Sequence, residues 1–328
     1  MHQNQKRKDL VLIKKTVVTD FIHGNAIFKL PKEKKNKLKK HINIKFINQK
    51  NFNPNSVEIY WGTRIKDNYI KKFKNLKWVH FGSVGTDNLS LKVLKNKRIT
   101  ITNSKSINSE SVSKLILFYI LDTEKRILST GNFSNRKKFE QNFLLGNETY
   151  SHKILILGYG SIAKQLQKIL KKFKFKFDIY SSRANIIKYK NIVSYKKIIN
   201  NLDKYNTVIN LLKFNSINKK FMNKTFFNKL NKKINLILVG RIQTIDLNQL
   251  YNFLNLNKKS FCYLDAKSDI NNLEKIRKLK NIFISPHIGG YYAKYWDDQF
   301  DLFKSNLLRY LNGKKLKNIV KINQSNFK

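Results

Sequence analysis

Short runs of Val, Ile, Leu, Phe and Tyr recur along the chain, each bounded by polar or glycine-containing stretches. Residues 9–19, 42–47, 56–61, 78–81 and 99–102 have the length and composition of strands. The pattern returns at residues 154–157, 175–180, 192–193, 207–212, 236–239, 261–264 and 282–284. Between them, apolar positions fall at helical spacing in residues 68–76, 110–128, 162–170 and 294–312. Strands that alternate with helical patterns predict an α/β fold built on open, mostly parallel sheets. Residues 1–8 read as a basic tail and residues 129–151 as a polar connector, with no repeat at a fixed period.

The segment from Lys153 to Arg183 concentrates the signal. An apolar run, Ile154 to Leu157, leads into Gly158, Gly160 and Ala163 in the spacing G-x-G-x-x-A. An amphipathic stretch and a second apolar run follow. A strand, a glycine turn, a helix and a strand in this order predict a dinucleotide-binding unit. Gly158 makes the tight turn, Gly160 lets the backbone approach a pyrophosphate, and Ala163 allows helix to pack on strand. The free N–H groups at the helix start, at Ser161 and Ile162, bind the anion. A ribose-binding acid is expected at the end of the second strand. Ser181, Ser182 and Arg183 stand there instead. Small hydroxyls beside a guanidinium suit a 2′-phosphate, so NADP is expected ahead of NAD. Asp178 is the competing position, although it lies within the strand.

Composition narrows the classes. The 328 residues leave room for two domains, each with its own core. Lysine and arginine number 67 against 20 acidic residues, a net charge of +47. The lysines are spread along the whole chain among Asn, Ile, Phe and Tyr, all residues with A/T-rich codons. That is a compositional bias, not a basic stripe, and no specific nucleic-acid partner is expected. The positive field should draw in small anions and hold polyanions weakly at low salt. The single cysteine, Cys262, excludes a disulfide framework and a cysteine-ligated cluster, and no metal is expected. No apolar stretch has the length of a signal peptide or membrane span, so a cytoplasmic enzyme without a membrane partner is expected.

Several blocks, in order, carry a resemblance over most of the chain. They are LKWVHFGSVGTDNLSL, ITNSKSINSESVSKLILFYIL, GYGSIA, LILVGRIQTIDLNQL, FISPHIGGYYAKYWDD and SNLLRYLNGKKLKNIV. Together they resemble the D-isomer-specific 2-hydroxyacid dehydrogenases. The resemblance implies two doubly wound (Rossmann/flavodoxin-like) parallel-sheet domains with a cleft between them. Residues 1–110 and 289–328 would form a discontinuous substrate-binding domain, and residues 111–288 an inserted dinucleotide-binding domain. It also implies a homodimer built around the interdomain helices. The reaction would be hydride transfer between a nicotinamide and a small anionic 2-keto or 2-hydroxy acid. Arg241 would pair the substrate carboxylate and polarise its C2 oxygen, and His287 would be the acid/base. Backbone N–H groups of Ser83, Val84 and Gly85 would hold the carboxylate. Asp265 would sit near the nicotinamide carboxamide. The residues themselves agree for His287, which stands between Pro286 and Gly289 just after a strand, as a positioned loop residue does.

The chain departs from the family pattern in two further places. The glutamate that orients the family's histidine and raises its pKa is replaced by Ile270. Asp269 is the expected substitute and Glu274 a weaker one; with neither in reach, activity would favour acidic pH. Leu238 and Ile242 stand where the arginine block usually has Asn and Gly, which bears on substrate placement around Arg241. These departures motivate an alternative: a catalytically weak dinucleotide-binding relative with a regulatory or scaffolding role. A dehydrogenase of another substrate class and a basic nucleic-acid-associated protein are the remaining alternatives.

Overall fold

In the computed structural model, residues 14–21, 29–49, 51–63, 65–85, 98–130, 153–187, 189, 191–267 and 273–320 are described. They cluster into two units. One is drawn from Met1–Ser104 and Lys294–Asn323, the other from Lys105–Ala293.

The first unit carries a five-stranded parallel sheet in the order β2-β1-β3-β4-β5. Its strands are β1 (Lys15–Thr19), β2 (Ile42–Phe46), β3 (Val57–Gly62), β4 (Trp78–Phe81) and β5 (Thr100–Asn103). This is the flavodoxin-like order, with the switch between β1 and β3. Adjacent strand residues take opposite faces. Val18, Tyr60 and Val79 join one core layer, and Val17, Trp61 and Trp78 the other. The C-terminal helix Tyr295–Leu311 closes the second layer with Phe300, Phe303 and Leu307; the Phe303 ring stacks on Trp61 at 4.0 Å.

The second unit has seven parallel strands in the order β12-β11-β10-β9-β6-β7-β8. They are β6 (Lys153–Leu157), β7 (Lys176–Tyr180), β8 (Ile192–Val193), β9 (Thr207–Asn210), β10 (Asn235–Leu238), β11 (Phe261–Asp265) and β12 (Ile282–Ser285). Read from β8, this is the dinucleotide-binding order with an added seventh strand, and the order reverses between β6 and β9. The continuous apolar runs are explained by burial on both faces. Ile154 and Ile156 pack with Val112, Ile116, Ala163 and Leu166 of the helices Ser109–Lys125 and Ser161–Lys172. Leu155 and Leu157 pack on the other side with Phe226, Leu250 and Leu254.

Two differences from the sequence expectations stand out, one in the extent of a helix and one in helices that the pattern missed. The long helix over residues 110–128 breaks at Arg126, which takes φ 53°, and resumes over Ile127–Thr130. The helices Lys32–Lys39 and Leu247–Leu256 were not marked by the apolar pattern. No helix of the described residues is long and apolar enough to cross a membrane.

Candidate active site

The glycine turn follows β6 at the point where the strand order reverses. Gly158 has φ +104°, and its N–H donates to the Tyr180 carbonyl at 3.0 Å. A Cβ there would lie a tight 3.1 Å from the Leu211 carbonyl oxygen, just after β9, and the left-handed φ strains any other residue, so the turn calls for glycine. Gly160 differs: a Cβ on it would meet nothing within 4 Å. Open space over an N-terminal turn is what an approaching pyrophosphate needs. Short helices nearby are closed by side chains, with Ser194, Asn223 and Asp246 each accepting N–H bonds from the turn they begin. The Ser161–Lys172 helix starts from Gly160 with no side-chain cap and no acid in its first turn. Its first N–H groups and the positive end of its dipole therefore meet no side-chain oxygen of the helix's own cap or first turn. Ala163 is fully buried against the sheet.

Beyond β7, Ser181 is buried, and its hydroxyl accepts the Arg183 N–H at 3.2 Å. Ser182 and Arg183 are exposed. Asp178 is spent elsewhere. Its carboxylate pairs with Lys153 at 2.8 Å and accepts the Tyr205 hydroxyl at 2.8 Å. Lys153 is the first residue of β6, so this pair lies toward the amino end of the strands, away from the glycine turn.

Arg241, Asp265 and His287 follow or end three neighbouring strands, β10, β11 and β12, at the same carboxyl edge. Adjacent strands sit about 4.8 Å apart, so strand order alone draws these loops together. The Arg241 loop is held from beneath. Arg241 N–H donates to the Leu212 carbonyl, and the Arg241 carbonyl accepts the Thr244 hydroxyl at 2.6 Å. Thr244 Oγ1 accepts from the buried Asn210 amide at 2.9 Å. Ile242 opens the 3₁₀ turn Ile242–Thr244, and Leu238 is buried as the last residue of β10.

His287 is half-buried and has φ 56°, in the left-handed region. Such a residue is strained unless its surroundings over-determine it. Here they do. The Asp265 carboxylate accepts the Ser285 hydroxyl, the Ile288 N–H at 2.9 Å and the Gly289 N–H at 3.0 Å, clasping the turn on both sides of His287. Ser285 in turn accepts the Tyr119 hydroxyl at 2.9 Å. Burial, ahead of the neighbouring Asp265 charge, pushes the Tyr119 hydroxyl up to about 12, so it remains a donor at neutral pH. His287 Nδ1 lies 3.4 Å from the Asp265 main-chain oxygen. Asp269 lies outside the described residues, and Glu274 is exposed on the helix Leu273–Arg277. In the first unit, Ser83, Val84 and Gly85 directly follow β4 and Gly82. Their N–H groups donate to no acceptor among the described residues.

The sequence did not reveal Asn210, Thr244, Ser285 or Tyr119 as part of these loops. A hydroxyl three residues after Arg241 and one just before Pro286 were the available signals.

Comparison with known proteins fits this geometry. Residues 117–289, more than half of the chain, match the model of the D-isomer-specific 2-hydroxyacid dehydrogenase NAD-binding domain. The chain is 25% identical over 259 residues to a glyoxylate/hydroxypyruvate reductase A of Arabidopsis thaliana, covering 75% of this chain and 79% of that one. It is 24% identical over 267 residues to a probable 2-ketogluconate reductase of Dictyostelium discoideum, covering 78% and 79%. Among solved structures, an NADPH-dependent glyoxylate/hydroxypyruvate reductase of Sinorhizobium meliloti, with NADP and malonate, superposes with a TM-score of 0.77. That match covers 94% of this chain and 97% of that one at 17% identity. These relatives are named as reductases, which lends no support to a purely regulatory relative. With its family match and its two parallel-sheet units, the chain belongs to the D-isomer-specific 2-hydroxyacid dehydrogenases, NAD(P)-dependent oxidoreductases of 2-keto and 2-hydroxy acids.

Proposed function

We propose that this enzyme reduces a small 2-keto acid of the glyoxylate or hydroxypyruvate class, with NADPH preferred to NADH. The observation that carries the reading is one carboxyl edge that presents the open Gly160 turn, the Arg241 loop and the clasped His287 turn. The bound nicotinamide supplies the hydride to C2 of the keto acid or takes it back from the hydroxy acid. His287 gives a proton to the C2 oxygen in reduction and removes it in oxidation. Arg241 pairs with the carboxylate and polarises the C2 oxygen through its planar fork. The N–H groups of Ser83, Val84 and Gly85 hold the carboxylate. Gly158 shapes the cofactor turn, and Gly160, Ser161 and Ile162 present N–H groups to the pyrophosphate. Ser181 fixes the turn that exposes Ser182 and Arg183 to a 2′-phosphate. Asp265 has about four lone-pair directions and uses three on the His287 turn, which leaves one for the nicotinamide carboxamide. Asp269 takes the place of the family's glutamate. An unchanged pH–rate profile in Asp269→Ala would overturn that last assignment.

The domain division follows the resemblance: residues 1–110 and 289–328 for substrate, residues 111–288 for dinucleotide. We place the enzyme in the cytoplasm as a homodimer. Phe118 and Leu121 on the Ser109–Lys125 helix, and Ile127 just after it, are 50%, 41% and 57% exposed and would be covered in the dimer. Sedimentation equilibrium that returns a monomer at micromolar concentration would refute it. The decisive test of function follows absorbance of the reduced nicotinamide with NADPH and NADH against glyoxylate, hydroxypyruvate and pyruvate. Turnover that disappears in His287→Ala supports the reading. Tight NADPH binding with no turnover on any acid would favour the non-catalytic relative, and equal affinity for the two cofactors would overturn the NADP preference.

A further inference from the structure

The three amides assigned to the substrate carboxylate are aimed from behind. In a trans peptide the C=O and N–H of one plane point in opposite directions, so fixing a carbonyl fixes the next residue's N–H. The Gly82 carbonyl shares a plane with the Ser83 N–H. It accepts from Gln299 Nε2 at 2.6 Å and from the Tyr295 hydroxyl at 3.2 Å. The Ser83 carbonyl, on the plane of the Val84 N–H, accepts the Ser104 N–H at 3.2 Å. The Val84 carbonyl, on the plane of the Gly85 N–H, accepts from Asn103 Nδ2 at 2.8 Å. Every carbonyl behind the cradle is therefore held by a donor, while the three N–H groups donate to no described acceptor.

Gln299 is the centre of this arrangement. It is 1% exposed on the C-terminal helix, one turn after Tyr295 and on the same face. Its Oε1 lies 2.9 Å from the Ser104 hydroxyl, which is itself 3.0 Å from the Phe81 carbonyl oxygen. The Gly82 carbonyl can only accept, so it fixes which end of the amide is nitrogen and leaves Oε1 toward the Ser104 hydroxyl. Two buried amides interrupt the apolar helix face of Phe300, Phe303 and Leu307: Asn306 holds Lys317 in the tail, and Gln299 is spent on the loop. All of these contacts lie within the first unit.

We infer that Gln299 is a positioning residue for substrate: with Tyr295, Ser104 and Asn103 it orients the peptides of residues 82–85 so that three N–H groups converge on one carboxylate. Successive N–H groups turned to one side form an anion-binding nest. The inference rests on the assignment of those amides to the substrate carboxylate. Gln299→Met keeps the length and volume of the side chain and removes its donor. With NADPH saturating, it should raise KM for glyoxylate or hydroxypyruvate at least tenfold. The inhibition constant of oxamate should rise by the same ratio, kcat should fall less than KM rises, and NADPH affinity should stay within twofold. A folded variant whose KM and oxamate constant stay within twofold of wild type overturns the inference. If thermal melting shows that Gln299→Met does not fold, Tyr295→Phe decides, because it keeps the ring and removes the hydroxyl that donates to Gly82 and accepts from Gln299 Nε2 at 3.2 Å. A two- to fivefold rise in KM is then expected, and no rise overturns the inference. Wild-type enzyme inert toward every keto acid would instead sink the functional reading. Calorimetric binding of oxamate to wild type and variant would still test the cradle.

Discussion

Gly158 and Gly160 are two residues apart, yet the structure asks different things of them. At Gly158 the backbone sits at φ +104° with the Leu211 carbonyl close by, so Gly158→Ala should cost about 1–3 kcal/mol of stability. At Gly160 a methyl group enters open space. Gly160→Ala should melt like wild type and bind NADPH at least tenfold more weakly, read by fluorescence titration. Wild-type affinity in that variant would place the pyrophosphate elsewhere. Asp265 invites a third substitution. Asp265→Asn sets an amide N–H₂ against donors it must accept, leaving at least one of the Ser285, Ile288 and Gly289 groups without a partner. A loss of about 1–3 kcal/mol follows. Turnover should fall further than cofactor affinity, because the clasp holds the His287 turn. Equal losses in the two would mean that Asp265 serves only the cofactor. The positions of Gly158, Arg241 and His287 were legible in the sequence because each follows an apolar run and is flanked by glycine or proline punctuation. Gln299, Thr244 and Tyr119 were not, because their roles depend on partners up to 217 residues away.

Among the elements, the strands were legible and the helices less so, for a physical reason. A strand buried on both faces must be apolar at every position, as β6 is over Ile154, Leu155, Ile156 and Leu157. The helix Lys32–Lys39 buries only Leu38, so it has no stripe to read. Leu247–Leu256 carried a usable signal, since Asp246 accepts the N–H groups of Asn248 and Gln249 ahead of Leu250, Phe253 and Leu254. The break at Arg126 had no sequence mark, because tertiary bonds impose it. Asp122 accepts the Leu128 N–H and the Tyr263 hydroxyl, and Arg126 Nη2 donates to the Lys259 carbonyl. β4 holds a pH-sensitive position. His80 is fully buried between Trp78 and Phe303, its Nδ1 is 2.7 Å from Thr102 Oγ1, and Trp78 Nε1 donates to the same oxygen. Burial lowers its pKa to about 3 from an ordinary 6.5. The unfolded chain therefore binds a proton that the folded chain refuses between those values. This contribution to stability is full above pH 6.5 and declines as pH falls toward 3, by up to about 1.4 kcal/mol per unit. The stability difference between wild type and His80→Phe in denaturant melts should drift by that slope between pH 6.5 and 5. A difference independent of pH would show that His80 does not titrate on unfolding.

For the whole molecule, the net charge of +47 must have a kinetic consequence even if it arose from codon bias. Ion pairs cannot neutralise it, because the figure already subtracts all 20 acidic residues, and pairs such as Lys114–Glu110 and Lys37–Glu33 are solvent-facing. What remains is a long-range field that acts alike on a keto acid, on a phosphorylated cofactor and on a nucleic acid. Salt separates these partners. The Debye length is about 30 Å at 0.01 M ionic strength and about 8 Å at 0.15 M. The field of dispersed lysines should therefore reach an approaching anion in the first case and be largely screened in the second. kcat/KM for glyoxylate should fall several-fold, up to about tenfold, between those ionic strengths, while kcat at saturation stays constant. A neutral 2-keto amide should show no such fall. Duplex DNA should compete only at low salt, because contacts that depend on counterion release weaken steeply as salt rises. If kcat fell together with kcat/KM, the charge would be acting within the bound complex, and the dispersed lysines would have to be assigned a role in the site itself.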